Sequence, residues 1–238
     1  MTYTFETIGT VHSCFKEKFG IPRQSGLAPD ARAVLELKPP YSRSEYLRDL
    51  EGYSHVWILY IFHAATSRPD KSSVRPPRLG GNRRVGVFGS RSNFRPNPIG
   101  LSVCELERIA FIEGQARLYL TGVDILDQTP VIDIKPYLPY ADARMSATAG
   151  WSLDAPAPHG AVFFSPATEA AIASLSPEEQ GRLRRLISQV LSLDPRPAYH
   201  HQGAHKSTYG MRLDRWDVRW EIGPDGIRVN DLLSDGQG

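Results

Sequence analysis

A period-two alternation of apolar and polar side chains runs through Ile99-Gly-Leu-Ser-Val-Cys-Glu-Leu-Glu-Arg-Ile109. Such an alternation is typical of a β-strand that buries one face. We expect the apolar members to point inward and the polar ones outward, which places Leu101, Val103 and Leu106 inside and Ser102 and Glu105 outside. The segment therefore predicts a half-buried strand.

Other short segments extend this pattern in both directions along the chain. Ser54–His63 is rich in β-branched and aromatic residues and predicts a buried strand. Further strands are predicted over 3–13, 85–88, 116–120 and 122–126, and a short helix over 44–50. Because Gly and Pro interrupt the series and no long helices separate the strands, a sandwich or barrel is favoured over a doubly wound parallel sheet.

The composition changes after this series. Residues 141–160 are rich in Ala, Ser, Pro and Gly, which indicates a connecting segment. Ser165-Pro166 and Ser176-Pro177 are typical helix starts, and Glu179 completes a capping box with Ser176. Alternating residues after Tyr209 and a turn at 223–226 predict a hairpin. We therefore expect a mostly β domain of about 145 residues and a small α+β domain after it.

Composition excludes several classes of protein. The 238 residues carry a formal net charge of +2 and are 41% hydrophobic, which argues against general disorder. The longest apolar run, Val56–Phe62, is too short to span a bilayer, and the N-terminus has no secretory pattern. Cys14 and Cys104 form no CxxC motif. We expect a cytoplasmic protein with no membrane partner and no cysteine-rich zinc module.

Positive charge is concentrated in one segment. Between Arg68 and Arg95 there are seven Arg, one Lys and one Asp, a local net charge of +7. Proline and glycine make this segment a loop, which is either a solvated charged loop or a nucleic-acid surface. Guanidinium groups bind phosphate bidentately and stack on bases, which favours the second interpretation.

Common catalytic motifs are absent from the sequence. It contains no GxxxxGK[ST], no GxGxxG after a strand, no GxSxG and no HExxH. His200, His201 and His205 have no nearby Cys, Asp or Glu that would complete a zinc site, so we expect no metal. Two segments, 75–100 and 124–139, combine charged residues with fixed turns. Each is compatible with a scaffold or with a site.

Specific matches to one family lie in these segments and beyond them. They include Pro22-Arg-Gln24 within 15–24, Arg95-Pro-Asn-Pro-Ile-Gly100 within 74–100, and segments 51–63, 127–130, 133–139, 194–199 and 217–220. The chain resembles the TsaA-like family of S-adenosylmethionine-dependent methyltransferases over nearly its full length. The resemblance implies a mainly β fold, with a closed antiparallel β-barrel-like domain over 1–145, a linker over 146–160 and an α+β domain over 161–238.

The resemblance also implies the composition of the active site. S-adenosylmethionine would bind at the interface of a homodimer. Its binding residues would be Arg23, Gln24, Ser25, His63, Ala64, Arg91, Leu101, Asp127, Gln128, Thr129 and Pro130. Asp127 and Asp133 are the candidate polar and acid/base groups, with Lys135 and Tyr137 as orienting donors.

The implied substrate is the anticodon stem-loop of a tRNA, methylated on N6 of threonylcarbamoyladenosine. We expect Arg78, Arg84 and Arg95 to bind its phosphates. Arg196, Tyr199 and Arg219 either extend this RNA surface or belong to a domain that only stabilises the fold or the dimer. Two other functions stay open at this point: a non-catalytic RNA-binding module, and a methyltransferase of the same architecture that acts on another acceptor.

Overall fold

The computed structural model of the chain describes residues 2–65, 71–152, 154–196 and 208–234. Within these ranges, eight strands precede Pro139: β1 (Gly9–Ser13), β2 (Arg32–Leu37), β3 (His55–Ile61), β4 (Ser73–Val74), β5 (Val85–Gly86), β6 (Ile99–Ile112), β7 (Gln115–Thr121) and β8 (Thr129–Pro136). Six of them form a closed antiparallel barrel in the order β1-β2-β7-β6-β3-β8, and β4 pairs with β5 in a separate ribbon. The predicted barrel is confirmed.

Alternation along the strands fills the barrel interior. On β3, Val56, Ile58 and Tyr60 are buried, and the residues between them are only half-buried. The sequence-based prediction of a strand buried on both faces is therefore wrong for β3. Its outer side chains take part in contacts outside the barrel, and Nε1 of Trp57 donates to the carboxylate of Asp142 at 3.0 Å.

The predicted facing of β6 is also wrong in part. Leu101 is 53% exposed, whereas Ser102 is buried and points into the barrel. Leu106 is buried as predicted, but it lies five positions from Leu101, so the two cannot share one face of a regular strand. The hydroxyl of Ser102 is satisfied inside because it donates to the carboxylate of Asp124 at 2.5 Å.

Four other predicted elements differ from the expected ones. The first strand begins at Gly9, and the segment 122–126 is irregular and forms no strand. Two short 3-10 turns, Ser44–Leu47 and Leu50–Gly52, replace the predicted helix over 44–50, because Asp49 between them has a φ of 64°. The strand predicted over 85–88 is shortened to β5, and a 3-10 turn, Val87–Gly89, follows it.

The C-terminal part is α+β. After the short helix α1 (Pro139–Asp142) it contains β9 (Val162–Phe164), α2 (Pro166–Ala173), α3 (Pro177–Ser192), β10 (Thr208–Leu213), β11 (Trp216–Gly223) and β12 (Gly226–Ser234). The four strands form a sheet in the order β10-β11-β12-β9, and the predicted hairpin at 223–226 is confirmed. Ser165 and Ser176 cap α2 and α3, the second through a complete capping box. None of the helices in the described ranges is long and apolar enough to cross a membrane.

A continuous hydrophobic core joins the barrel to this sheet. Phe15, which is fully buried just after β1, forms an isolated antiparallel bridge with Leu213 of β10. Met211 on the same strand packs against Gly20, where a Cβ would lie 3.0 Å from its sulfur. Strand β10 therefore supports the segment 14–24 from behind.

Hydrogen bonds from two side chains of helix α3 to Asp30 attach the helix to the barrel domain. The carboxylate of Asp30 accepts hydrogen bonds from Nη2 of Arg185 at 2.9 Å and from Nε2 of Gln189 at 2.7 Å. The backbone N–H of Asp30 donates to Oε1 of Gln189 at 3.0 Å. These contacts fix the C-terminal half of α3 relative to the loop that follows segment 14–24.

Candidate active site

The turn that precedes β8 is tied to β1 through Asp127. One carboxylate oxygen of Asp127 accepts from the backbone of Ser13 at 2.8 Å, and the other lies 3.1 Å from the ammonium of Lys16. Its own N–H donates to the carbonyl of Phe15 at 2.9 Å. The next residue, Gln128, has a φ of 63°, which turns the chain sharply into β8. In the single chain Asp127 therefore holds the turn in shape.

The same turn contacts the end of β3. The hydroxyl of Thr129, which is buried, donates to the carbonyl of Leu126 at 2.6 Å and lies 3.4 Å from Nδ1 of His63. Since the single hydroxyl proton is directed at Leu126, a bond between Thr129 and His63 requires a proton on Nδ1. Next to His63, the carbonyl of Ala64 accepts a hydrogen bond from Lys18. The structure thus brings His63, Ala64 and the 127–130 turn to one end of the barrel.

A second group of predicted cofactor residues meets between two loops. Nη1 of Arg91 donates to Oε1 of Gln24 at 2.6 Å, and the amide of Gln24 donates to the carbonyl of Arg23. The backbone of Ser25 hydrogen-bonds to the carboxylate of Asp124. The arginine-rich loop is therefore attached to the Pro22-Arg-Gln24 loop by a charge-assisted bond.

Asp124 is a residue of this site that the sequence analysis did not assign. Burial raises its pKa, and the hydrogen bond from Ser102, backbone bonds and the charge of Arg91 oppose that shift. Ser102 also lies 3.3 Å from the hydroxyl of Tyr60, so a polar chain crosses the barrel end toward Arg91. The signal that could have found it is Ser102, a polar residue in phase with the inward side chains Cys104 and Leu106.

The remaining predicted catalytic residues lie on the outer wall of the barrel. Asp133 and Lys135 form an ion pair at 2.8 Å, and the ring of Tyr137 packs against Trp57 with centroids 5.8 Å apart. Leu59 is in register with Asp133 on one side and with Leu101 on the other. Leu101 and Asp133 thus flank one residue of β3, whereas Arg91 and Gln24 bond to each other between two loops.

Several of the predicted RNA-binding arginines are already engaged within the protein. Nη1 of Arg95 donates to the carbonyl of Ser90 at 2.7 Å, and its guanidinium lies 6.0 Å from the ring centroid of Phe88. Arg78 donates to the carbonyl of Asp154, and Arg84 makes a long 3.5 Å contact with a serine hydroxyl. Arg95 in particular serves to brace the loop that carries it.

The C-terminal candidates are paired in the same way. Arg196 is held by the carboxylate of Asp194 through bonds of 2.7 and 2.9 Å, and only 12% of its side chain is exposed. Arg219 pairs with Asp217 at 2.5 Å, although about half of its side chain is exposed. Tyr199 lies outside the described residues, as do His200, His201 and His205. Within the described ranges, no group of three or more His, Cys, Asp or Glu could hold a metal ion.

Comparison with known proteins identifies relatives along the whole chain. The family model "tRNA-methyltransferase O N-terminal domain" matches residues 10–143, and "TrmO C-terminal domain" matches residues 157–235. A tRNA (adenine(37)-N6)-methyltransferase from Escherichia coli (strain K12) is 42% identical over 96% of this chain and 97% of its own length. A protein from Pseudomonas aeruginosa PAO1, named putative S-adenosylmethionine-dependent methyltransferase RcsF, is 48% identical over 98% of both chains.

Solved structures agree with these relatives. A crystal structure of TrmO is 44% identical to this chain, covers 98% of it and 100% of its own chain, and superposes with a TM-score of 0.77. A crystal structure of TrmO from Pseudomonas aeruginosa is 41% identical, covers 98% and 99% of the two chains, and has a TM-score of 0.76. With the closed barrel and the α+β C-terminal part described above, this chain belongs to the tRNA-methyltransferase O family.

Proposed function

We propose that this protein is an S-adenosylmethionine-dependent tRNA methyltransferase that methylates N6 of threonylcarbamoyladenosine at position 37, next to the anticodon. The observation that carries the proposal is the 42% identity, over nearly both full chains, to a protein named tRNA (adenine(37)-N6)-methyltransferase. The Arg91–Gln24 bond and the 127–130 turn supply polar groups of the kind that a methyl donor with an amino-acid tail requires. We infer a cytoplasmic protein, since its substrate is tRNA.

The described residues fit the methyl donor chemically. Arg91 and Gln24 offer cationic and amide donors that suit its carboxylate, and the exposed side chain of Leu101 offers an apolar surface for its adenine. When bound, S-adenosylmethionine supplies an activated methyl group on a sulfonium. The residues of the chain hold donor and acceptor in line, and this alignment contributes much of the rate.

Asp133 is the proposed base for the acceptor. Acylation makes the N6 proton of threonylcarbamoyladenosine more acidic, so a carboxylate of moderate strength suffices to take it as the methyl group arrives. Lys135, 2.8 Å from Asp133, orients the carboxylate. Tyr137 is a further hydrogen-bond donor that orients the carboxylate. Asp127 holds the 127–130 turn against β1.

A homodimer would bring these groups together. The outer face of β3 and β6 presents the in-register pairs Leu59–Leu101 and Trp57–Val103, and Leu101 is 53% exposed. An exposed apolar row of this kind is typical of an interface between subunits. We propose that a second copy covers it and that Asp133, which flanks Leu59, completes a site shared between subunits. We also propose the functional division of the chain into residues 1–145, 146–160 and 161–238.

The test is methylation of tRNA with defined modification states. The purified protein and S-adenosylmethionine are incubated with tRNA that carries threonylcarbamoyladenosine and with tRNA that lacks it, and the nucleosides are analysed by mass spectrometry. We expect a methylated nucleoside only from the first tRNA. Product from the second would indicate a different acceptor. Absence of both product and saturable donor binding in calorimetry would indicate a non-catalytic RNA-binding module.

A pair of variants tests the proposed base. Asp133→Asn is compared in single-turnover experiments with Asp231→Asn, which changes an exposed acid on β12 in the C-terminal sheet. We expect a rate loss of about 10²–10⁴-fold for the first and none for the second. Full single-turnover activity of Asp133→Asn would remove Asp133 from the mechanism without affecting the rest of the proposal.

A further inference from the structure

A cleft of about 730 Å³ lies where three segments meet: residues 18–23, the arginine-rich loop at 75–82, and the end of α3 with the residues after it, 190–195. We propose that this cleft, which we call the interdomain cleft, binds one nucleotide of single-stranded RNA together with its phosphate. The proposal deepens the proposed function, because it assigns the part of the protein that receives the tRNA strand.

The charge of the interdomain cleft suits an anion. Lys18, Arg23 and Arg75 line it, and the one carboxylate among its lining residues is Asp194. That carboxylate is already bound by Arg196 through two hydrogen bonds, so its charge only partly offsets the other cations. Arg75 has no hydrogen bond or ion pair with any residue in the described ranges and is exposed to solvent. A phosphate would therefore find an available guanidinium here.

The surroundings of Arg23 support the same conclusion. Arg23 is exposed at the cleft, yet the atoms packed around its guanidinium remove part of its hydration and lower its pKa, and the charge of Asp194 only partly opposes this. An anionic ligand would restore the lost stabilisation of the charged form. Arg23 is thus prepared for a negatively charged group rather than for a neutral one.

The walls of the interdomain cleft suit a base and a sugar. Ile21 and Leu193, which are half-buried, contribute apolar lining to the cleft in addition to the cations. At the other side, Gly80 and Gly81 have φ values of 69° and 72° and carry no side chain, so a ribose-phosphate backbone can approach the loop closely. Apolar surface beside a cationic groove is the combination that single-stranded nucleic acid requires. The volume lies within the range of about 300–1,000 Å³ for ligand pockets.

The interdomain cleft also adjoins the proposed donor site. Arg23 lines the cleft, and its carbonyl accepts the amide of Gln24, which in turn binds Arg91. A strand seated in the cleft would therefore run past the residues proposed to hold the methyl donor. By contrast, Arg95 and Arg196 are engaged inside the protein, so the phosphate-binding cations differ from those expected from the sequence.

The test compares Arg75 with a matched arginine. Arg48 lines a separate depression with Ile109 and Phe111, at the opposite end of the barrel from residues 122–130. Arg75→Gln, Arg75→Glu, Arg48→Gln and Arg48→Glu are titrated with a fluorescent anticodon stem-loop at several salt concentrations. For Arg75→Gln we expect about threefold to tenfold weaker RNA binding and a salt slope that is smaller by about 0.7, with a larger loss for Arg75→Glu. Donor affinity should not change in calorimetry.

The outcomes separate this inference from the proposed function. If the wild-type protein methylates tRNA but the Arg75 variants bind RNA like the Arg48 variants, the interdomain cleft is not the RNA site and the proposed function stands. If the wild-type protein produces no methylated nucleoside, the proposed function fails whichever arginine affects RNA binding. Hydrogen exchange of the wild-type protein gives a second measurement. Protection of 75–82 and 190–195 by the stem-loop supports the cleft, and protection confined to other segments overturns it.

Discussion

Replacement of Gly100 by alanine would test how the end of the barrel is packed. A Cβ at this position would lie 2.2 Å from Cε2 and 2.3 Å from Cζ of Tyr60. Because carbon atoms in contact are about 3.5–4.0 Å apart, the ring would have to move by more than about 1 Å. That movement breaks the 3.3 Å contact between Tyr60 and Ser102 and the edge-to-face pair of Tyr60 with Phe62. Overpacking costs about 1–3 kcal/mol and the aromatic pair about 0.5–1.5 kcal/mol.

We therefore expect Gly100→Ala to lower the free energy of unfolding by about 2–4 kcal/mol. In a protein of this size the melting temperature should fall by roughly 5–15 °C. Calorimetric melts and urea titrations measure the change, and a Tyr60→Leu background supplies the control, since leucine does not reach across Gly100. In that background the alanine should cost less than about 1 kcal/mol. An equal cost in both backgrounds would refute the steric argument, because the tyrosine ring would then not be the obstacle.

Three further predictions concern ionisable and capping groups. Asp30→Ala should cost about 1–2 kcal/mol at pH 7, since it removes the bonds from Arg185 and Gln189. Burial alone would raise the pKa of Asp30, but the bonds from Arg185 and Gln189 outweigh burial and lower it. In thermal melts recorded down to acid pH, the difference in stability between the wild type and Asp30→Ala should therefore shrink as Asp30 is protonated. Burial raises the pKa of Asp124, so its ionisation weakens the folded wild-type protein as the pH rises from 4 to 8. The free energy of unfolding of Asp124→Asn should therefore increase relative to that of the wild type over this range. A difference that does not change with pH would contradict this. Ser176→Ala should cost about 0.5–2 kcal/mol in urea titrations, and Ser176→Asp should retain most of the cap.

The sequence predicted those features that depend on neighbours along the chain. Helix α3 follows from its cap at Ser176 and its apolar spacing, and both are local. The local pattern of β6 allows two facings, one with Leu101 and Val103 inward and one with Ser102, Cys104 and Leu106 inward, and the partner that makes an inward Ser102 favourable is Asp124, 22 residues later. A single sequence does not reveal that partner, so Leu101 was assigned to the wrong side.

The candidate site divides in the same way. The family resemblance implies Gln24 and Arg91 as donor-binding residues, and the structure brings these two side chains into contact. The ion pair of Asp127 with Lys16 and the engagement of Arg196 by Asp194 depend on how loops meet in three dimensions. Whether an arginine is available to a ligand was for that reason not predictable from charge density.

The support that β10 gives to segment 14–24 has a consequence for how this architecture can be divided. The backbone N–H of Arg212 donates to Glu17 at 3.0 Å, and Phe15 is fully buried against the same strand. In an isolated barrel, Phe15 would be exposed to solvent and the segment that leads to Gln24 would lose the support of β10. A shorter enzyme derived from this chain would need other contacts to support segment 14–24, such as a new helix or an engineered crosslink, before Gln24 could bind the methyl donor.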